Sequence, residues 1–370
     1  MINTKDFYDF LVKNKIDLFA GVPDSLLSSF CSCIKENSKP NHNIITANEG
    51  NAIALAAGYH LSTGKFGCIY MQNSGLGNAI NPLLSLVDKK VYSIPMLLVI
   101  GWRGEPKVHD EPQHIKQGEV TLELLETIGI KYLILNDNYV EQILQCVEYM
   151  KKENAPIALV VRKNTFSKYD FKPIVYNYEL TREKALEIIL SNIDNNDLIV
   201  STTGKTSREI FEIREKKNQG HQNDFLTVGS MGHTASIAYG IALGTKKRVY
   251  CIDGDGSFIM HMGSLGVIGT KQLKNFKYIL NNNGAHESVG GQDTCGFELN
   301  IKKILMGCGF KKVIIVENSR SLIEALNLIK NKNKMAIVIN TRQGSRNDLG
   351  RPTTTPIENK ISFMKELKRK

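Results

Sequence analysis

Short apolar runs alternate with longer amphipathic segments along the whole chain. Each run spans only four to six residues and therefore predicts a buried strand. Six strands are predicted before position 165, at residues 17–22, 43–47, 67–71, 96–100, 132–135 and 157–161. Six more are predicted after position 195, at residues 198–201, 225–228, 249–252, 276–280, 313–316 and 336–339.

Helical periodicity fills the intervals between these strands, for example over residues 51–61, 140–151, 182–190, 235–243 and 322–329. Short apolar strands that alternate with helices are typical of a parallel sheet covered on both faces. We therefore predict an α/β chain with two doubly wound parallel-sheet domains, at residues 1–165 and 181–370, joined by a linker at residues 166–180. The tail after Gln343 has little periodicity until a short helical end.

The composition is that of an ordinary globular protein. The chain has 370 residues, of which 42% are hydrophobic and 23% charged. The formal net charge is +10, but only residues 365–370 form a dense basic run, so we expect no nucleic-acid partner. A positive field would instead help to recruit an anionic cofactor and an anionic substrate.

The expected compartment is the cytoplasm. The N-terminal residues lead into an amphipathic helix, without the basic flank and apolar core of a signal peptide. The longest apolar run, residues 94–100, is too short to span a bilayer, so we expect no membrane partner. The seven cysteines include no C-x-x-C pair and fit a reducing compartment.

Two polar motifs follow neighbouring strands in the second half of the chain. One strand runs into GDGS at residues 254–257, and the next runs into NNNG at residues 281–284. A single helical crossover would place these strand ends side by side. Asp255 and Asn282 then offer hard oxygen ligands suited to Mg²⁺ or Ca²⁺. Gly256 would let the backbone approach a diphosphate closely.

This pair of motifs resembles the signature of thiamine diphosphate (thiamine pyrophosphate) enzymes. The resemblance implies a pyrimidine-binding domain followed by a diphosphate-binding domain, with thiamine diphosphate and Mg²⁺ as cofactors. The implied metal ligands are Asp255, Asn282 and the backbone carbonyl of Gly284. Gly254, Gly256 and Ser257 are expected to contact the diphosphate, and Ser257 is predicted to open a helix whose N-terminus favours anions.

The layout without a middle domain is similar to the compact decarboxylases of this family, which act on phosphonopyruvate or sulfopyruvate. The resemblance implies a carbon–carbon lyase that converts phosphonopyruvate, a small anionic 2-oxo acid, to phosphonoacetaldehyde and carbon dioxide in 2-aminoethylphosphonate or other phosphonate biosynthesis. It also implies self-association, with an active site at the subunit interface. Sulfopyruvate decarboxylation and a carboligase or synthase reaction on the same scaffold remain open alternatives.

Two motifs provide candidate contacts to the organic part of the cofactor. Glu49 lies between a strand and an Ala-rich helix, and it matches the family glutamate that hydrogen-bonds the aminopyrimidine. A helix-start acid stabilised by the helix dipole is the alternative interpretation. In the GSMG motif, Met231 matches the residue that bends the cofactor, and the Gly229 carbonyl would hold its amino group. A core methionine in a glycine-rich turn is the alternative.

The segment STTGKTS at residues 201–207 is not a P-loop, because Ile199 stands where that motif requires glycine. It follows the first strand of the second domain. Thr203 and Thr206 are therefore candidate cofactor contacts, although capping of the following helix is an equally good interpretation for each.

Substrate and proton-transfer residues are expected at other strand ends. Asp24 would relay protons or cap a helix. Asn73 and Ser74 are candidate substrate contacts, or their segment only makes a tight turn. A phosphonate favours Arg or Lys partners, so Arg103 and Lys107 in the loop after residue 101 are candidate ligands of the phosphonate, although a solvated loop is the alternative interpretation for Lys107.

Three further residues are candidate acids or bases. His114 is the preferred histidine in the loop of residues 101–114, which lacks the adjacent histidine pair of pyruvate decarboxylases. His286 and Glu287 directly follow the predicted metal ligands, in a glycine-rich stretch that could close over a substrate.

Overall fold

The computed structural model describes residues 1–170, 172, 174–271 and 273–368 and separates the chain into two units. Unit 1 comprises Met1–Pro173 and Val289–Gln292. Unit 2 comprises Ile174–Ser288 and Asp293–Lys370. Within the predicted linker, Phe166 stacks on Phe30 in unit 1 and Tyr176 packs against Phe297 in unit 2.

Unit 1 contains a six-stranded parallel sheet in the order β2-β1-β3-β4-β6-β5. Its strands are β1 (Ile16–Gly21), β2 (Asn43–Ile45), β3 (Phe66–Gln72), β4 (Leu97–Gly101), β5 (Lys131–Ile134) and β6 (Ile157–Val161). Its helices are α1 (Thr4–Lys13), α2 (Ser28–Asn37), α3 (Glu49–Thr63), α4 (Leu76–Ser85), α5 (Pro112–Thr127) and α6 (Tyr139–Glu153), with a 3₁₀ turn at Asn73–Gly75.

Unit 2 contains a second six-stranded parallel sheet, in the order β13-β14-β10-β9-β7-β8. Its strands are β7 (Leu198–Ser201), β8 (Asp224–Leu226), β9 (Val249–Gly254), β10 (Phe276–Asn282), β13 (Lys312–Val316) and β14 (Met335–Asn340). The short strands β11 (Ala285–His286) and β12 (Gln292–Asp293) follow β10. The helices are α7 (Arg182–Asn192), α8 (Lys205–Lys216), α9 (Thr234–Leu243), α10 (Asp255–Met260), α11 (Gly263–Thr270), α12 (Ile301–Gly307), α13 (Ser319–Asn331) and α14 (Pro356–Leu367).

The two sheets have the same topology, since numbering the six long strands within each unit gives the order 2-1-3-4-6-5 for both. Central strands such as β1 and β4 are buried along their whole length. Each sheet has an apolar cluster on either face, which explains the continuous apolar runs in the sequence. The predicted fold class, two doubly wound parallel-sheet domains, is confirmed.

Some predicted boundaries were wrong. Strand β8 ends at Leu226, two residues early, and Ser257 lies inside α10, which begins at Asp255. The helical end predicted for the tail is α14, in which the carboxamide of Asn359 bonds to the backbone of β8 and Phe363 is buried. Among the described residues, no helix combines the length and the apolar character needed to cross a membrane.

Candidate active site

Glu49 is a buried carboxyl group at the start of α3, and only 5% of it is exposed. Its Oε2 accepts a hydrogen bond of 2.7 Å from Nδ2 of Asn78 on α4. Burial raises the pKa of Glu49, and the hydrogen bond from Asn78 opposes that rise only in part. A Cβ on Gly75 would lie 2.5 Å from Oε1, so the glycine makes room for the carboxyl group. The site therefore favours a carboxyl group that can hold a proton.

A second buried acid, Asp24, lies beyond the end of β1 in unit 1. Its Oδ1 accepts 2.7 Å from Nε2 of Gln72, and its Oδ2 accepts 2.9 Å from the backbone N–H of Leu26. Ser74 donates to Oε1 of Gln72 at 2.7 Å, which completes a chain of side chains. Burial raises the pKa of Asp24. Asp24 is thus a turn-stabilising group and a candidate proton carrier, but it does not cap α2, whose N-cap residue is Leu27.

The guanidinium of Arg103 is already paired within unit 1. It donates to both carboxylate oxygens of Asp110, and Nη1 donates to Oγ of Ser25 at 2.7 Å. The hydrogen bonds to Asp110 raise the pKa of Arg103. Asn73 bonds to the backbone N–H and carbonyl of Arg103 at 3.2 and 2.8 Å, so its carboxamide orients this loop from within. Arg103 is held in place and stays charged, but the carboxylate of Asp110 offsets part of its positive field.

A cavity of about 190 Å³ lies beside this arginine. Its lining includes Arg103, His109 and Lys163. Lys107 is exposed with a positive φ of 70°. His114, on α5, is buried, and this burial lowers its pKa to about 4. The imidazole is therefore neutral at pH 7, and its Nδ1 has no hydrogen-bond partner in the described part of the chain.

In unit 2 the two polar motifs meet at the carboxyl ends of β9 and β10, which pair in parallel. Asp255 and Asn282 are 3% and 2% exposed. A Cβ on Gly296 would clash with Oδ1 of Asn282 and lie 3.0 Å from Oδ2 of Asp255, so both oxygens border the same small space. Burial raises the pKa of Asp255 to about 6.

Gly284 completes this group of oxygen atoms. Its φ is +66°, and a Cβ there would lie 2.5 Å from the ring of Phe297, so only glycine fits. Its N–H donates to Oδ1 of Asn282 at 3.2 Å. A carboxylate, a carboxamide and a backbone carbonyl form a hard donor set that suits Mg²⁺. Because of these donors, the mixed oxygen set is the candidate metal centre. No cluster of three His, Cys, Asp or Glu side chains with metal-binding geometry occurs among the described residues.

Met231 and His286 approach each other above the GDGS turn. The position of a Cβ on Gly256 lies 3.0 Å from Cε of Met231 and 3.1 Å from Nδ1 of His286. Burial lowers the pKa of His286 to about 4, so it is neutral at pH 7. Gly232, next to Met231, donates its N–H to Oγ of Ser257 at 3.1 Å. Ser257 therefore holds the turn that carries Met231.

The remaining predicted cofactor contacts line the same edge of the sheet. Thr203 donates its hydroxyl to the carbonyl of Val228 at 2.7 Å, which ties the β7 loop to the β8 loop. Thr206 is buried in the first turn of α8. Gly229 and Gly254 are half-buried, so their backbones remain accessible.

Glu287 is bound in an ion-pair network instead of facing open space. Its carboxylate accepts from Arg182 at 2.5 Å, from Lys205 at 3.3 Å and from Asn283 at 2.8 Å. Burial would raise the pKa of Glu287, but the charges of Arg182 and Lys205 outweigh it and lower the pKa. A carboxylate held ionised in this way has no proton to donate at neutral pH, so its geometry indicates a positioning role.

Sequence reasoning did not single out Gln72, Asn78, Arg182 or Thr294. Each acts through a hydrogen bond to a predicted residue that is distant along the chain. Gln72 and Asn78 belong to the polar motif after β3, and Thr294 ends the glycine-rich stretch after the predicted metal ligands, so of these four residues only Arg182 lay outside a motif.

Two family models match the chain. The model for the N-terminal TPP binding domain of thiamine pyrophosphate enzymes matches residues 3–126, and the C-terminal TPP binding domain model matches residues 202–340. A phosphonopyruvate decarboxylase from Streptomyces viridochromogenes is 31% identical, covering 97% of this chain and 93% of the relative.

Two other relatives are more distant. A sulfopyruvate decarboxylase from Methanosarcina acetivorans is 28% identical, with 87% of each chain covered. The sulfopyruvate decarboxylase subunit beta of Methanococcus maripaludis is 29% identical, and the match covers 52% of this chain and 100% of that subunit.

Proposed function

Because the chain belongs to the family of thiamine pyrophosphate enzymes, we propose that it decarboxylates 3-phosphonopyruvate to phosphonoacetaldehyde and carbon dioxide, with thiamine diphosphate and Mg²⁺ as cofactors. The observation that carries the proposal is the 31% identity to a phosphonopyruvate decarboxylase over 97% of the chain. The product aldehyde would supply the biosynthesis of 2-aminoethylphosphonate or another phosphonate.

Residues described above would make each of the contacts with the cofactors. Asp255, Asn282 and the Gly284 carbonyl would hold Mg²⁺, and the GDGS turn would contact the diphosphate. Met231 would support the organic rings, and Glu49 would share a proton with the aminopyrimidine. When bound, thiamine diphosphate supplies an electron sink for the electron pair left by departing carbon dioxide.

Among the acid–base candidates, the raised pKa of Asp24 makes it the better proton donor. His114 and His286, both neutral at pH 7, would act as hydrogen-bonding groups around the substrate. The Arg103 loop and Lys107 would meet the phosphonate, and the partial neutralisation of Arg103 by Asp110 would limit how strongly a dianion is held.

We also propose that the working site forms between copies of the chain. The carboxyl group for the aminopyrimidine lies in unit 1 and the metal ligands lie in unit 2. One relative is named as a subunit, which supports an assembly of more than one chain for that protein. In the proposed arrangement, unit 1 of one copy faces unit 2 of another.

The test is to measure carbon dioxide and aldehyde release from phosphonopyruvate, sulfopyruvate and pyruvate in parallel. Thiamine diphosphate and Mg²⁺ are supplied, with an EDTA control and the Glu49→Gln variant. We expect preference for phosphonopyruvate, loss of activity with EDTA, and a loss of about 10²- to 10⁴-fold in kcat in the variant.

A preference for sulfopyruvate would replace the substrate and retain the chemistry, an alternative favoured by the match to the Methanosarcina enzyme. If the protein binds both cofactors but releases carbon dioxide from none of the three acids, the decarboxylase assignment is overturned. A carboligase reaction would then be tested with an aldehyde acceptor.

A further inference from the structure

We propose that the turn Thr294–Cys295–Gly296 is a positioning element that orients the proposed metal ligands and so sets the affinity for Mg²⁺. This inference rests on the proposed function, because it takes Asp255, Asn282 and Gly284 as the ligands. The turn and the three ligands all belong to unit 2.

Thr294 contacts two of the three ligands. Its hydroxyl donates a hydrogen bond to Oδ2 of Asp255, and its backbone N–H donates to the carbonyl of Gly284 at 3.0 Å. The first contact fixes the rotation of the carboxylate, and Oδ2, which borders the ligand space, keeps a second lone pair for a cation. The second fixes the plane of the peptide group that contains the Gly284 carbonyl, whose oxygen has a second lone pair.

Gly296 contacts the remaining ligand. Its carbonyl accepts a hydrogen bond of 3.0 Å from Nδ2 of Asn282. Because Nδ2 is held there, Oδ1 of Asn282 is turned to the opposite side of the carboxamide. Gly296 has no side chain, and any Cβ would clash with that Oδ1 and approach Asp255. Glycine therefore keeps open the space that the two oxygens border.

The turn is itself held in place. Gly296 donates its N–H to Oγ1 of Thr294 at 3.2 Å, which closes the turn. The next residue, Phe297, packs against Tyr176 and Tyr178 with ring centroids 4.3 and 5.1 Å apart. Because this aromatic packing already holds the turn, the turn loses little conformational entropy when the cation binds.

Groups that orient metal ligands without touching the metal commonly change metal affinity or activity by about 10- to 100-fold. We therefore expect Thr294→Val, which keeps the volume but removes the hydroxyl, to weaken Mg²⁺ binding by about that factor. Thr294→Ser keeps the donor and should restore affinity. Gly296→Ala should weaken binding at least as much, because its methyl group enters the ligand space.

The experiment is a calorimetric titration of Mg²⁺ into the full-length protein with saturating thiamine diphosphate. Mn²⁺ binding followed by electron paramagnetic resonance gives a second measurement that does not depend on turnover. The matched controls are Thr353→Val, at an exposed threonine, and Gly307→Ala, where an added Cβ meets nothing within 4 Å. Thermal unfolding in EDTA shows whether each variant is folded.

The expected result is weak metal binding by Thr294→Val and Gly296→Ala, normal binding by Thr294→Ser and the controls, and similar unfolding temperatures in EDTA. Unchanged affinity in Thr294→Val, or weak binding by Thr294→Ser, would overturn the inference. If Thr294→Val does not fold, Gly296→Ala and the serine variant decide the question. A wild-type protein that binds neither Mg²⁺ nor thiamine diphosphate would instead contradict the proposed function.

Discussion

Three carboxyl groups, two of them buried and one partly buried, show how local partners decide what an acid can do. Glu49 and Asp24 receive neutral hydrogen bonds, from Asn78 and Gln72 respectively, so burial dominates and the pKa of each acid rises. Glu287 contacts two cationic groups, and its pKa falls. The raised pKa favours the protonated form of the first two, whereas the lowered pKa of the third favours a carboxylate that holds its neighbours in place.

The role of Asn78 can be tested at this scale. The hydrogen bond that Asn78 donates stabilises the ionised form of Glu49, so Asn78→Leu should raise the pKa of Glu49 further. Carbon-13 NMR of glutamate-labelled protein, with Glu49→Gln to assign the signal, would follow the titration. The midpoint should move to higher pH in the variant.

The matched control is Asn81→Leu on the same helix, because Asn81 is exposed and its carboxamide oxygen accepts a hydrogen bond of 2.9 Å from Ser85. Its Glu49 titration should equal that of the wild type. A midpoint that stays constant or falls in Asn78→Leu would show that Asn78 does not stabilise the carboxylate.

At the scale of elements, the sequence predicted the sheets well, because each strand of a buried parallel sheet forms a short apolar run in the sequence. Strands β6 and β7 have the predicted bounds, and the GDG and NNN motifs do stand at neighbouring strand ends. The supporting contacts were not predictable. Thr294 meets Asp255 across 39 positions and Arg182 meets Glu287 across 105, and neither threonine nor arginine carries a local signal for such a partner.

The Arg182 network joins α7, α8 and the loop after β10. Arg182 donates to both oxygens of Glu209 at 2.7 Å and also to Glu287. Its side chain is 5% exposed and that of Glu209 is 1% exposed. Arg182→Met should lower the free energy of unfolding by about 3–5 kcal/mol, because it leaves the buried carboxylate of Glu209 and the partly buried carboxylate of Glu287 with too little positive charge. Urea denaturation measures this loss.

Two further variants make that measurement specific. Arg320→Met removes an exposed pair with Glu324 and should cost no more than about 0.5 kcal/mol. The double variant Arg182→Met/Glu209→Leu should recover part of the lost free energy of unfolding, because it also removes the Glu209 carboxylate that Arg182→Met alone leaves unpaired. A cost below about 1 kcal/mol for Arg182→Met alone would contradict the assignment of a stabilising network.

At the scale of the whole molecule, the two units repeat one topology and also one surface pattern. Helix α3 follows the second strand of unit 1, and α9 follows the second strand of unit 2. Each has an exposed glycine, Gly58 or Gly240, with nothing within 4 Å of an added Cβ. Three residues later stands an exposed leucine, Leu61 at 73% or Leu243 at 66%. Such a glycine costs a helix about 1 kcal/mol relative to alanine, so close approach by another chain would explain its presence.

Self-association through these helix faces gives the last prediction. Gly58→Leu and Gly240→Leu should each stabilise the helix that contains the substitution, because leucine has a higher helix propensity than glycine. Each should nevertheless weaken self-association at least about tenfold, because the new side chain blocks close backbone contact between chains. Sedimentation velocity over a dilution series measures the effect. Gly307→Leu, at an exposed glycine at the end of α12, is the control and should associate like the wild type. Full association of both glycine variants would mean that subunits meet elsewhere, whereas dissociation with loss of decarboxylation would tie the active site to these two faces.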